Sequence, residues 1–90
     1  MITFNLKKKW YDLIKSGEKT IEFREDKPYW RKRLWKHPQP TSCILRLGYT
    51  KHYMTAKITL IELILLGQFT DLQIDRPVFG IHLDEVEERA

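Results

Sequence analysis

A small α+β domain is what this chain predicts: a mostly antiparallel sheet rolled into a β-barrel, with one main α-helix and a second short helix. Three observations carry that expectation. Five stretches alternate apolar and polar side chains, as half-buried strands do. One stretch near the start repeats apolar residues at helical spacing. Proline and glycine punctuate the intervals between them. The 90 residues suit one domain, residues 1–90. A chain of this size buries roughly 60–65% of the surface its unfolded form exposes, so its core is thin.

Taken in order, Ile2, Phe4 and Leu6 alternate with Thr3 and Asn5 and read as a short strand. A helix follows from about Lys8 to Ser16, with Trp10, Leu13 and Ile14 in one apolar stripe. Gly17 suits the left-handed residue that ends a helix. From Thr20 the pattern alternates again, and Ile21 and Phe23 are expected to face the core while Thr20, Glu22 and Arg24 line a surface. Asp26 or Lys27 would cap a short helix with Pro28 in its first turn, and Trp30 and Leu34 would anchor it at i, i+4. Two prolines in His37–Thr41 require an extended loop. Ser42 to Tyr49 and Tyr53 to Leu60 or beyond read as a strand pair, with Gly48 marking a bulge or close approach. Gly67–Asp71 is a loop or single turn. Val78 to about Val86 is a last strand, with Phe79, Ile81 and Leu83 inward, and the acidic tail after it is expected to fray.

Charge is uneven. Residues 7–37 hold eleven Lys and Arg against five acids, whereas residues 62–90 hold two Arg against seven acids. The basic first two thirds would attract nucleic-acid phosphates or other polyanions; a solvated surface with two opposing poles is the plain alternative. Cys43 is the single cysteine, so no internal disulfide is possible, and a reducing, cytoplasmic setting is the simplest reading. The first residues lack the pattern of a signal peptide, and the longest apolar run, Ile58 to Leu66, is too short to span a bilayer, so no membrane role is expected. His37, His52 and His82 are scattered, glycines are isolated, and no nucleophile elbow is present. No metal site, cofactor or phosphate loop is expected on those grounds.

Three ionisable groups stand out just past the first helix: Lys19, Glu22 and Arg24, in the pattern G-x-K-x-x-E-x-R opened by Gly17. With the upstream Trp10–Ser16 helix, Lys27-Pro28-Tyr29-Trp30, and Asp75 to His82, this pattern resembles the ASCH domains (activating signal cointegrator homology) of the PUA-like superfamily. The likeness is to the small stand-alone ASCH proteins of bacteria and phages and covers nearly the whole chain. It implies a PUA-like β-barrel and an RNA-binding cleft beside the motif. Some ASCH proteins are amidohydrolases that deacylate N4-acetylcytidine with the lysine of this motif, a threonine and a glutamate. Lys19 matches that lysine, but Glu22 stands where that branch has its threonine; for the distant glutamate, Glu62 is a candidate only.

Read from the residues themselves, Glu22 between two cations is expected to have its pKa lowered, making it a strong acceptor and a mediocre base. Arg24 would grip a phosphate or base edge, Glu22 would accept from an amino group, and Lys19 would neutralise backbone charge. An ion-pair cluster fastening the strand edge is the structural alternative. Residues Pro28 to His37 interleave aromatic and basic side chains, the chemistry of single-stranded nucleic-acid binding, so Tyr29, Arg31, Arg33 and Trp35 join the candidate site. The leading expectation is an RNA- or nucleotide-binding module. A hydrolase of a modified nucleoside or an RNA phosphodiester, with Lys19 and Glu22 catalytic, is the alternative. A protein-interaction module using the acidic tail is the third.

Overall fold

The computed structural model describes residues 1–89. Five strands and two α-helices are present, in the order β1 (Ile2–Leu6), α1 (Lys8–Ser16), β2 (Ile21–Glu25), α2 (Pro28–Leu34), β3 (Ser42–Leu47), β4 (Tyr53–Ile64) and β5 (Val78–Arg89), with one 3₁₀ turn at Gly67–Phe69. The strands form a single sheet in the order β1-β3-β4-β5-β2. β1 and β3 run parallel; the other three pairings are antiparallel. The parallel pair is possible because α1, β2 and α2 intervene, giving the chain the length a crossover needs.

The expected closed barrel is corrected to a curled half-barrel. β1 and β2 are the two edges, and among the described residues no backbone ladder joins them. Both are five residues long, whereas β4 and β5 span twelve each. Two register shifts between β4 and β5, at Thr55/Lys57 and Ile58/Leu60, bend the long pair. The short edges fall at the open side, and helix α2 lies across it. Trp30 stacks on Phe4 of β1 with ring centroids 5.2 Å apart, and Trp35 packs 5.6 Å from Phe79 of β5. Below α2 a single guanidinium spans the seam: Arg24 of β2 donates from Nη2 to the Asn5 carbonyl of β1 at 3.0 Å.

The core fills the concave face. Phe4, Ile14, Leu34, Leu45, Met54, Phe79 and Ile81 are all fully buried. The helical anchors at Trp30 and Leu34 behave as their spacing requires: Leu34 is fully buried, and Trp30 packs against the core from the rim.

Two element readings change and one open choice is settled. Gly48 ends β3 in a left-handed turn, φ 55°, and is not a bulge within a longer strand, so Tyr49 projects into solvent. Of the two cap candidates Lys27 is the N-cap of α2, with no side-chain cap bond, and Pro28 stands in the first turn as expected; the Asp26 carboxylate is engaged by Arg31. The tail is not frayed over its described residues: Glu87, Glu88 and Arg89 pair with Thr55, Met54 and Tyr53, while Ala90 lies outside the described residues.

Candidate functional site

Gly17 takes the left-handed conformation at the end of α1, φ 85°, and its N–H closes on the Ile14 carbonyl. The Lys19 N–H then donates to the Leu13 carbonyl at 3.0 Å, so the chain leaves the helix in a fixed direction. Register does the rest. Glu22 lies opposite Ile81 and Arg24 opposite Phe79 on β5, and both partners are fully buried core residues. Paired residues of an antiparallel ladder share a face, so Glu22 and Arg24 point into the concave side. This reverses the expectation that Ile21 and Phe23 face the core: both are only half-buried, whereas Glu22 is 5% exposed. The physical reason is the missing closure. At an unpaired edge the inner face meets a gap instead of a facing strand, and an ion pair fills it.

Lys19, Glu22 and Arg24 converge on one hollow of about 410 Å³, with Trp10 and Lys7 from the α1 side and Asp71, Leu72 and Ile74 from the loop before β5. One Glu22 carboxylate oxygen accepts from Arg24 Nε at 3.0 Å and lies 2.7 Å from Arg24 Nη2; the other lies 3.9 Å from the Lys19 ammonium. Lys19 is ion-paired to Asp71. Its ammonium also lies 5.0 Å from the Trp10 ring and 4.8 Å from the Phe23 ring. The Arg24 guanidinium sits 5.2 Å from the Phe4 ring and 5.0 Å from the Trp30 ring. Each cation is therefore held by carboxylate and aromatic faces together, which fixes its position.

Burial pushes the Glu22 carboxyl above the ordinary carboxylate range, and the attractions of Arg24 and Lys19 offset only part of that rise. The sequence-based expectation of a lowered pKa is corrected on this point. Flanking cations lower a carboxylate that stays solvated; one taken out of water loses more than they return. Burial, with Glu22 nearby, also pushes the Cys43 thiol up to about 12, which makes it an inert core side chain.

The remaining candidates divide according to the period of α2. Tyr29 and Arg33 lie on one side, stacked with the guanidinium 3.6 Å from the ring centroid, and line a separate hollow. Arg31 and Trp35 lie on another: Arg31 forks onto Asp26 at 2.9 and 2.7 Å, and both rest near Phe79. The four do not make one face around Lys19, Glu22 and Arg24. Glu62 is not near them either. It opposes Gly80 on the outer face of the sheet and pairs with His82 at 2.8 Å. Two participants had no sequence signal: Asp71 meets Lys19 from 52 positions away, and Trp10, read as core, is half-buried at the wall. Among the described residues no group of three or more His, Cys, Asp or Glu is placed to hold a metal ion, and no helix is long and apolar enough to cross a membrane.

Compared with protein-family models, curated proteins and solved structures, the chain finds no match.

Proposed function

We propose that the hollow beside Gly17–Arg24 binds a nucleotide, free or as one unit of an RNA strand. The carrying observation is the convergence of two fixed cations, a buried carboxylate and an indole wall on one cavity of about 410 Å³. That volume lies within the range of small-molecule sites. Glu22 offers an oxygen to the amino group of a base, Trp10 offers a stacking face, and Lys19 with Lys7 offers charge to phosphate. The resemblance of the motif to ASCH domains points the same way.

Titration of nucleoside monophosphates and short RNA, read by tryptophan fluorescence, tests this. Binding is expected to weaken as salt rises and to be lost in Lys19→Met, with circular dichroism confirming the fold of the variant. Absence of binding, or equal binding by Lys19→Met, overturns the reading.

One observation favours a second reading, hydrolysis of an acylated nucleoside. A carboxyl lifted above its ordinary range by burial is better matched to moving protons near neutral pH than a solvated one. Product release from N4-acetylcytidine by the wild type, absent in Lys19→Ala, would support it; equal background in both removes it.

A further inference from the structure

The second hollow is the feature the nucleotide site leaves unused. It has a volume of about 530 Å³ and is lined by Thr3, Tyr29, Arg33, Lys36, Thr41 and Ser42 among others. No acid lines it, so its field is of one sign, unlike the first hollow, where Glu22, Glu25 and Asp71 balance the cations. Among the described residues, neither Arg33 nor Lys36 is ion-paired, whereas Arg31 and Lys27, at the other end of the same segment, are. Arg33 is also positioned. Its Nη1 donates to the Tyr29 carbonyl at 2.9 Å while its plane lies over the Tyr29 ring. Nε and Nη2 have no protein acceptor among the described residues, so the fork remains free for an anion. Four hydroxyl-bearing residues, Thr3, Tyr29, Thr41 and Ser42, line the same hollow and suit phosphate oxygens.

A run of side-chain contacts links the walls of the two hollows. From the Arg24 guanidinium to the Trp30 ring is 5.0 Å, from Trp30 to Tyr29 is 4.8 Å, and from Tyr29 to the Arg33 guanidinium is 3.6 Å. Laid end to end, these steps limit the distance between the two guanidiniums to about four base steps of ~3.4 Å each. Along β1 the hollows are adjacent as well: Thr3 lines one and Asn5 the other.

We infer that the hollow at Tyr29, Arg33 and Lys36 is a backbone-phosphate station for a single-stranded nucleic acid whose one nucleotide occupies the Lys19–Glu22–Arg24 hollow. This rests on the nucleotide reading of the first hollow. It adds a ligand length: a strand of no more than about four or five nucleotides suffices to reach both hollows, with the base read at one end and charge held at the other.

The test uses the full chain, 5′-phosphorylated RNA of one to eight nucleotides, and the paired substitution Arg33→Gln/Lys36→Gln, with Arg33→Glu/Lys36→Glu as a second variant. Both side chains are exposed, so folding should persist. Wild-type affinity is expected to rise at least tenfold between one and five nucleotides and then level off. The Gln pair should leave mononucleotide affinity unchanged, weaken the pentanucleotide at least fivefold, and flatten its salt slope by about 1.4, roughly 0.7 per lost phosphate contact. The Glu pair should weaken it further. Mononucleotide binding with no gain on lengthening overturns the station and leaves the nucleotide site standing. A length effect that survives both variants also overturns it. Absence of binding at every length removes both readings. A poly-glutamate peptide that binds as tightly, and loses as much in the variants, overturns the nucleic-acid assignment.

Discussion

Glu22 concentrates the physical tension of the molecule. Its carboxylate is buried, one oxygen is taken by Arg24, and the other faces Lys19 across 3.9 Å. Because its pKa is raised in the folded state, the native protein holds this proton after the unfolded chain has released it. The contribution to stability is therefore full below the ordinary value of 4.5 and is lost as pH rises through the raised value. Urea unfolding of wild type and Glu22→Gln across this range is expected to show the wild type losing ground steadily as pH climbs. The opposite slope would mean that the two cations outweigh burial. Removing Arg24 instead, as Arg24→Met, leaves the buried carboxylate with Lys19 alone, 3.9 Å away, and should cost about 3 kcal/mol in the same measurement at neutral pH. A loss below 1 kcal/mol would place the carboxylate in effective contact with water.

At the scale of elements, the loop between β4 and β5 decides whether Lys19 keeps its partner. Gly67, within this loop, is buried. A Cβ there would collide with the Arg76 carbonyl and come within 2.7 Å of Val78 Cγ1. Gly67→Ala is thus expected to destabilise by about 1–3 kcal/mol, as overpacking does, and to shift Asp71 from Lys19. Loss of the Asp71-dependent part of the melting temperature would report this: Asp71→Asn should change stability in the wild type and have no further effect in Gly67→Ala. Sequence patterns served unequally across these elements. The stop at Gly17, the extent of α1 and the Trp30/Leu34 anchor were legible because each is written within a few adjacent positions; the inward stripe of α1 was not, since Tyr11 and Ile14 are its buried residues while Trp10 and Leu13 are only half-buried. The inward face of β2 was not. Ile21 and Phe23 make a credible core pair, and only the pairing of Glu22 with Ile81 and Arg24 with Phe79 reveals the reversal. Nor was the division of Tyr29/Arg33 from Arg31/Trp35 weighed by composition alone, since an interleaved run becomes two faces once it coils.

For the molecule as a whole, the half-barrel depends on how far β4 and β5 stay paired. The last residues of β5 continue the ladder, Val86 packs against the core, and Glu88 pairs with Lys15 of α1 at 3.0 Å. Deleting residues 85–90 is expected to lower Tm by about 4–8 °C or more, the shift that ~1 kcal/mol produces in a domain of this size. An unchanged Tm would return the tail to solvent. Charge asymmetry, by contrast, was visible from the start, because it requires only counting; where the free cations stand required the fold.

A seam tied by one guanidinium, with no ladder across it among the described residues, has a dynamic consequence. Deuterium uptake should rank the strands by their depth from that seam. Amides in the middle of Tyr53–Ile64 and Val78–Leu83, each with a neighbour on both flanks, would exchange last. The outward amides of Ile2–Leu6 and Ile21–Glu25 would exchange first. A guest seated against Arg24 would slow the first group to open and leave the last untouched, so the protein would record occupancy as a local tightening of its own loose flank.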